Sequence, residues 1–352
     1  MTAHVARTPV DGADATANAA ALPQPELSVV IKTLNEAAKI EACLRSVLAV
    51  TDAATTEIIV ADSLSDDETV AVAARFPVKV VQLARRADRG CGSAAQLGFQ
   101  HARGKRLLLL DGDMELDPAF LPAAQAALDA DPKLAGVAGL VIDRVMTLEF
   151  RRRNQKPDRT AKPGLLDHLN GGGLFRIEAI RPFGFFTDRN LHAFEELDLG
   201  LRLTAAGWRL RRLDQPSVYH YGHATAAFPL LLNRWRTRYL HGHGELLRSK
   251  WGTDLWWRCF RGARLSLSVI VWWALLLALF AGAFFSQISG AAFVVALIAP
   301  ALLQCLRKRS LAMGLYSTVL INFHAAGLLA GLLTPRVDPK QRIDSSVRHP
   351  EA

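Results

Sequence analysis

Residues 106–113 read RLLLLDGD, an apolar run that ends in two carboxylates one residue apart, Asp111 and Asp113. The run predicts a buried β-strand whose acidic end lies at the edge of a sheet. Two carboxylates at such an edge can hold a divalent cation that keeps open positions for phosphate oxygens. A solvated turn is the alternative, because Asp-Gly is a common turn pair. This stretch therefore points both to the fold class and to the first candidate site.

The same stretch is the fourth strand in a regular alternation of strands and helices. Three apolar strands precede it, LSVVIKTL, EIIVAD and VKVVQL, at residues 27–34, 57–62 and 78–83. The intervening segments have helical spacing, so we expect the strands to pair in parallel through right-handed crossovers. Ligands bind such sheets at the carboxyl ends of the strands. The polar loops at Asn35–Glu36 and Asp62–Asp67 follow the first two of these strands at that edge. We expect both loops to face the same site as Asp111.

The composition indicates a soluble part joined to a membrane part. The 352 residues are 50% hydrophobic with a mean hydropathy of +0.14, yet 21% of them are charged. The four cysteines form no CxxC pair, which excludes a disulfide framework and a zinc ribbon and suits a reducing compartment. The formal net charge of +9 favours anionic partners, such as phosphate-bearing substrates or a lipid surface.

Long uncharged runs predict membrane helices in the last third of the chain. Residues 265–306 carry no charge, which is enough for two bilayer crossings of about 20 residues each. Residues 310–334 are a third candidate for a crossing. The basic loop at 307–309 indicates the cytoplasmic side under the positive-inside rule. We therefore expect the catalytic half in the cytoplasm, and the tail after Pro335 on the other side if all three helices cross.

These patterns divide the chain into five expected segments. They are a disordered tail without a secretory signal (1–26), a catalytic domain (27–228), a basic and aromatic interfacial segment (229–262), transmembrane helices (263–334) and a polar tail (335–352). The expected location is the inner, cytoplasmic membrane, with several crossings and a cytoplasmic catalytic domain.

The order of the motifs resembles family 2 of the glycosyltransferases, which have the GT-A fold and use nucleotide sugars. The resemblance covers residues 27–225 and rests on the elements VVIKTLNE, VADSLSDDET, GCGSAAQLGFQHARG, LLLLDGDMELDP, GGGLFRIEAI and FEELDLGLRLTAAGW. It implies an α/β fold of GT-A type, with a mostly parallel sheet, flanking helices and a carboxyl-terminal transmembrane helical region. It also implies inverting transfer of a sugar to an acceptor such as a lipid-linked or cell-surface glycan, with Mg²⁺ or Mn²⁺ as cofactor.

The resemblance implies roles for individual residues. The residues expected to bind the nucleotide or the donor are Thr33, Asn35, Glu36, Asp62 and Asp111. The two carboxylates of the family's Asp-X-Asp motif, Asp111 and Asp113, are expected to bind the metal, together with His220 or His223 of HYGH. The catalytic base falls on the pair Glu195 and Glu196, with Glu196 at the base position.

Several positions depart from the usual pattern of that family. Lys32 and Leu34 stand where Pro and Tyr are usual, Leu64 replaces a Gly, and Gln96 replaces an Asn. The Glu196 side chain is one methylene longer than the usual Asp, although no catalytic carboxylate is lost. The Gln-X-X-Arg-Trp motif of processive polymerising members is absent, which argues against a cellulose- or chitin-synthase type.

Other function classes fit the residues less well. An oxidoreductase on a dinucleotide-binding sheet needs a GxGxxG turn after the first strand, and residues 32–36 contain no Gly. A non-catalytic membrane scaffold has no need of the metal and base carboxylates, which are all present, although the acidic residues at 195–198 also fit an ordinary first helical turn. Nucleic acid is not expected, since the basic run at 151–162 has only Phe150 nearby for stacking. The expected partners are a nucleotide-sugar donor, a lipid or glycan acceptor and the membrane.

Overall fold

The structure, a computed structural model, describes residues 24–144, 162–222 and 225–348. His223, most of the expected amino-terminal tail and nearly all of the basic run at 151–162 lie outside these ranges. The strands are β1 (Leu27–Thr33), β2 (Thr56–Asp62), β3 (Lys79–Leu83), β4 (Arg106–Asp111), β5 (Met114–Leu116), β6 (Leu134–Asp143), β7 (Gly164–Leu166), β8 (Gly173–Arg176), β9 (Arg209–His220) and β10 (Ser345–Arg348). The α-helices are α1 (Ile40–Leu48), α2 (Thr69–Ala73), α3 (Cys91–His101), α4 (Phe120–Ala130), α5 (Ile177–Ile180), α6 (Glu195–Ala205), α7 (Ala227–Arg236), α8 (Gly242–Ser249), α9 (Trp256–Gly262), α10 (Arg264–Ala283), α11 (Gln287–Lys308) and α12 (Leu311–Leu333).

The first four strands form the parallel core that the sequence predicts. β1 pairs with β2 on one side and β4 on the other, and β3 follows β2. Helices α1, α2 and α4 pack on one face and α3 on the other, so the strands are buried on both faces. Such strands are continuous apolar runs, which explains the four leucines of β4. The register places Thr33 beside Asp62, and Lys32 beside Asp111, at the carboxyl ends.

The second half of the sheet is mixed. The strand order is β10-β3-β2-β1-β4-β8-β6-β9-β5, with β7 also paired to β9. β8 runs antiparallel to both β4 and β6, whereas β6 and β9 are parallel. The α/β class is confirmed, and among the described strands the parallel pairs are those within β1–β4 and the β6–β9 pair. The short strands β5, β7 and β8 pair antiparallel, without the long crossover that a parallel neighbour requires.

In the part of the chain that the structure describes, three helices are long and apolar enough to cross a membrane, as predicted. They are α10, α11 and α12, with mean hydropathies of 2.2, 2.0 and 1.4 in their most apolar windows. Within those windows 11% of the residues of α10 and none of α11 are buried inside the chain, against 28% for α12. α12 therefore packs against the rest of the chain more than the other two helices do.

The tail after Pro335 packs against the edge of the sheet. Its strand β10 runs antiparallel to β3 at the edge of the sheet, and Ile343 is only 1% exposed. The tail thereby covers an edge strand whose backbone groups would otherwise be unpaired. A tail on the far side of a membrane, expected if all three helices cross, does not fit this pairing, because the paired strands must share one side.

Candidate active site

A cavity of about 620 Å³ opens at the carboxyl ends of β1 and β4. This is the edge at which open α/β sheets bind ligands. The wall combines acidic residues from strand ends with basic residues from two other segments. The titratable residues that line it include Lys32, Glu36, Arg86, Arg89, Asp111, Asp113, His192, His220, Arg236, Arg238 and Tyr239.

Lys32 places a positive charge between two of the predicted motifs. Its ammonium nitrogen lies 2.9 Å from a carboxylate oxygen of Asp111 and 3.4 Å from one of Glu195. The side chains of Lys32 and Glu195 are only 12% and 8% exposed. Burial lowers the pKa of Lys32, but Asp111 and Glu195 outweigh that effect and raise the pKa well above its usual value. The ion pairs therefore join the end of β4 to the first turn of α6.

Asp113 and His220 lie side by side at the cavity wall. A carboxylate oxygen of Asp113 is 3.2 Å from Nε2 of His220, and Nδ1 of His220 is 2.7 Å from Asp143. A carboxylate on the second ring nitrogen is what orients a ligating histidine in metal sites. These donor types fit a divalent cation, although no three His, Cys, Asp or Glu side chains within residues 24–144, 162–222 and 225–348 are grouped as a metal site. Asp111, the other predicted ligand, is paired with Lys32.

Asp62 is fully buried at the end of β2. Its carboxylate accepts hydrogen bonds from Thr33 Oγ1 at 3.1 Å, the Ser65 amide at 3.0 Å and Gln82 Nε2 at 2.8 Å. These bonds tie the loop after β1 to the loop after β2. In this structure the carboxylate orders the two loops, while Thr33 itself lines the cavity.

The other two predicted donor residues, Asn35 and Glu36, follow β1 directly. Asn35 has a left-handed backbone with φ of 60°, a conformation that Asn tolerates better than most residues. Its side-chain oxygen accepts a hydrogen bond from the Asp66 amide at 2.7 Å. Glu36 lines the cavity, and burial together with the charge of Asp113 raises its pKa.

Two arginines at the cavity are residues that the sequence reasoning missed. Arg86 and Arg89 lie in the turn between β3 and α3, and both line the cavity. Arg89 Nε donates to the Ser63 carbonyl oxygen at 2.8 Å, and both guanidinium groups pair with Asp66. The basic run RRADR at 85–89 was the available signal, since it follows a strand of the parallel core.

Glu195 and Glu196 begin α6, as the sequence predicts. Glu196 accepts a hydrogen bond from the Gly171 amide at 3.0 Å. Burial and then the charge of Glu195 raise the pKa of Glu196 to about 7, against the opposing charge of Lys32. A carboxyl group with a pKa near neutrality is suited to general base catalysis. Neither glutamate is among the cavity-lining residues, but Lys32, which lines the cavity, contacts Glu195.

Asp198, the third acidic residue of this turn, is held in ion pairs inside the protein. It is fully buried and pairs with Arg202 at 2.8 Å and with Lys250. Burial alone raises the pKa of Asp198, but the two cations hold it below its usual value. The residue therefore anchors α6 to the segment after α8 and is not exposed to the cavity.

The segment expected at the membrane interface also forms one wall of the cavity. Residues 236–239, from the last residue of α7 into the turn before α8, line it. Arg238 has a left-handed backbone with φ of 61°, a strained conformation for a non-glycine residue that is found preferentially at functional sites. The guanidinium of Arg234 lies 5.3 Å from the ring centroid of Tyr239. The site therefore draws on residues beyond position 228.

The sheet, its helices and the carboxylates at its edge define a protein with the GT-A glycosyltransferase fold. The mannosyltransferase PcManGT from Pyrobaculum calidifontis, solved in complex with GDP-Man and Mn²⁺, aligns with a TM-score of 0.56 at 21% identity over 87% of each chain. TarS 1-349 of S. aureus aligns with a TM-score of 0.52 at 16% identity, over 87% of this chain and 90% of that one. At these identities the likeness concerns the fold alone.

Residues 28–187 match the family model "Glycosyl transferase family 2". A dolichol-phosphate mannosyltransferase of Mycosarcoma maydis is 37% identical over 79 residues, which are 22% of this chain and 27% of that protein. One of Pyrococcus furiosus is 30% identical over 101 residues, 28% of either chain. The matched region thus spans little more than a quarter of these relatives' length. The fold that the motifs imply is confirmed, and the family 2 match is confined to residues 28–187.

Proposed function

We propose that this chain is a membrane-associated, nucleotide-sugar-dependent glycosyltransferase that acts by metal-dependent inverting transfer. The proposal rests on one observation: two acidic motifs, Asp111 with Asp113 and Glu195 with Glu196, lie close together at one edge of the sheet, in a chain whose residues 28–187 match family 2. Asp111 and Asp113 line the cavity there, and the ion pair between Lys32 and Glu195 joins them to the first turn of α6.

The nucleotide sugar binds in the cavity with its diphosphate near the ends of β4 and β9. Arg86 and Arg89 offer cationic groups at the wall that suit an anionic donor. Asp113 and His220, with Asp111, would hold a divalent cation, Mg²⁺ or Mn²⁺, which would neutralise the leaving diphosphate. The Pyrobaculum structure with GDP-Man and Mn²⁺ supports both the donor class and the cation.

Glu196 accepts the proton of the acceptor hydroxyl as that oxygen bonds to the anomeric carbon of the donor sugar. The bond from this carbon to the diphosphate breaks on the opposite face, so the nucleoside diphosphate leaves and the configuration inverts. The pKa of about 7 supports this role, because a base is most effective with a pKa near the working pH. Lys32 balances the neighbouring charges of Asp111 and Glu195.

The acceptor approaches from the side of residues 236–239, at the membrane surface. That wall is basic and aromatic, and the chain continues from it through α8 and α9 into the apolar helix α10. A lipid-linked acceptor fits this continuity, and the two dolichol-phosphate mannosyltransferases that match part of the chain support it. The proposed location is the cytoplasmic face of the inner membrane.

The test is release of nucleoside diphosphate by the purified full chain in lipid nanodiscs. A panel of GDP-mannose, UDP-glucose and UDP-N-acetylglucosamine is supplied with Mn²⁺, and separately with EDTA. One donor should be turned over only when the cation and a membrane lipid extract from the host are both present. Asp113→Asn should abolish that release, while the exposed surface variant Asp129→Asn should keep it. Absence of release from every donor, or equal release by Asp113→Asn, would contradict the proposal.

A further inference from the structure

The helix α12 contacts α7, next to the cavity, through two pairs of aromatic rings. Tyr316 and Phe323 make edge-to-face contacts with Phe228 and Trp235 of α7, with ring centroids 5.3 and 5.7 Å apart. Both partners belong to the segment that leads into the cavity wall at 236–239. The amino-terminal half of α12 therefore lies alongside α7.

The carboxyl-terminal half of α12 packs on the catalytic side even more closely. A Cβ atom on Gly327 would lie 2.4 Å from the Leu240 carbonyl oxygen, and one on Gly331 would lie 2.0 Å from that of His241. Such backbone contact between helices requires residues without a side chain.

α12 has 23 residues, so it is about 35 Å long. If it crossed the hydrocarbon core, which is about 30 Å thick, its far end would lie on the opposite side of the membrane from the catalytic domain. α12 instead begins beside the end of α11, where a Cβ atom on Gly314 would lie 2.4 Å from Cα of Cys305. At its middle, Asn322 accepts a hydrogen bond from Trp273 of α10 at 2.7 Å, and its last turns lie against residues 240 and 241 on the catalytic side.

The chain after α12 is fixed to the same side. Arg336 donates to Asp188 at 2.8 Å, and Asp188 is only 2% exposed. The Val337 amide donates to the Asn190 side-chain oxygen at 2.8 Å, and the Asn190 amide group donates to the Val337 carbonyl at 2.9 Å. These bonds hold the end of α12 to the loop that precedes α6.

Further along, the tail enters the core of the catalytic domain. Ile343 belongs to the same buried cluster as Val81 and Leu83 of β3. The backbone amide of Ile343 donates to Gln100 Oε1 at 2.8 Å, and Gln100 Nε2 donates to the carbonyl oxygen of Ile343 at 3.2 Å. Arg189 donates to the carbonyl oxygens of residues 341 and 342 at 3.0 and 3.1 Å. Ordering a chain costs about 1–2 kcal/mol of conformational entropy per residue. The contacts of the tail offset this cost only when the tail lies on the same side of the membrane as the domain that it contacts.

We infer that α10 and α11 form a single transmembrane hairpin and that α12 lies in the membrane surface without crossing. The tail and the catalytic domain share one side, which requires an even number of crossings. α10 and α11 are the more apolar and the less buried helices, and the basic loop at 307–309 returns the chain to the catalytic side. α12 packs on α7 and α8 and also on the hairpin through Gly314 and Asn322. Its most exposed leucines face lipid, namely Leu311, Leu315 and Leu333, with 69%, 48% and 81% exposure.

Topology reporters on the full chain test the hairpin. Green fluorescent protein, which fluoresces only in the cytoplasm, and alkaline phosphatase, which is active only outside it, are fused separately at three places. These are before Met1, between Phe285 and Ser286, and after Ala352. The first and third fusions should report one side and the second the opposite side. A fusion after Ala352 that reports the side opposite to Met1 would overturn the inference, and so would three fusions on the same side.

Spin labels test the surface position of α12 and do not depend on enzymatic activity. Leu315→Cys and Leu333→Cys are labelled one at a time in nanodiscs, with Cys91 and Cys305 replaced by Ser. The depth is measured from collision rates with oxygen and with a polar nickel chelate. The two α12 labels should lie at similar shallow depths, whereas the control label Leu275→Cys, in the middle of α10, should lie deep. Depths at opposite surfaces for the two α12 labels would show a crossing helix.

Discussion

The ammonium nitrogen of Lys32 lies 2.9 Å from a carboxylate oxygen of Asp111, at the wall of the cavity. The two residues close neighbouring strands that are paired in register, β1 and β4. A second contact, with Glu195, connects this pair to the helix that carries the proposed base. The ammonium group of Lys32 thus balances the proposed metal motif and the proposed base motif, at a position where the family usually has Pro.

Replacing Lys32 by Met should destabilise the protein. Glu195, with its side chain 8% exposed, would keep a charge without its partner, and breaking a buried pair costs about 3–5 kcal/mol. The raised pKa of Lys32 means that this contribution is complete at neutral pH and is lost only as the pH rises through the folded-state pKa. Thermal unfolding in detergent should show a clearly lower midpoint for Lys32→Met, and Lys32→Arg should recover most of it. An unchanged midpoint for Lys32→Met would contradict the structural role.

Asp198→Asn should also destabilise the protein, for a reason unrelated to the chemistry. It leaves Arg202 and Lys250 without the buried carboxylate that they share, at a cost of about 3 kcal/mol in the free energy of unfolding. Because Asp198 does not reach the cavity, the folded fraction should bind donor as the wild type does. The exposed Asp214→Asn variant is the matched control and should change neither quantity. A normal unfolding midpoint together with lost turnover would instead give Asp198 a catalytic role.

Cation binding should depend on the Asp113–His220 pair and on the residue behind it. Asp143 holds Nδ1 of His220 at 2.7 Å, and loss of such an outer partner weakens metal affinity by about 10- to 100-fold. We expect Asp143→Asn to raise the dissociation constant for Mn²⁺ by that factor and Asp113→Asn to raise it further. Titration of free Mn²⁺ by electron paramagnetic resonance measures this without any turnover. Wild-type affinity in both variants would remove the pair from the metal site.

Turnover should rise with pH through about 7, because Glu196 accepts a proton only when it is ionised and its pKa lies there. Since Lys32 lowers this pKa, Lys32→Met should move the acid limb to higher pH. The same raised pKa predicts that the contribution of Glu196 to stability falls as the pH rises from 4.5 towards 7. Maximal turnover measured against pH, with donor saturating, tests this. An acid limb near the ordinary value for glutamate would contradict the assignment.

The sequence was sufficient for the parallel half of the fold because those strands are apolar on both faces. The run of four leucines in β4 and the loops after β1 and β2 carry local signals of period and turn chemistry. The pairing of Lys32 with Asp111 and Glu195 carries no such signal, since it depends on the register of β1 with β4 and on the placement of α6. Lys32 therefore stood out in the sequence only as a departure from the usual Pro.

The three apolar helices near the carboxyl terminus show more strongly that local sequence signals do not determine tertiary contacts. Hydropathy identifies α10, α11 and α12 as apolar helices, but it cannot distinguish a helix that crosses lipid from one that packs along a domain. The small residues Gly327 and Gly331, and the pairing of β10 with β3, provide that distinction. Leu64 also shows how tertiary context overrides local preference. It has a left-handed φ of 61° at a position where a Gly is usual in the family.

Glu196 is the proposed acceptor of the proton, in a site that holds the donor independently of it. The most direct measurement compares single-turnover rates and donor affinity for Glu196→Gln and Glu195→Gln in nanodiscs, with the donor that the wild type uses. Glu196→Gln should lower the chemical rate by about 10²- to 10⁴-fold with little change in the donor dissociation constant. Glu195→Gln, which loses its charge pairing with Lys32, should affect stability more than rate. A near-normal rate in Glu196→Gln, with the loss appearing in Glu195→Gln instead, would contradict the assignment.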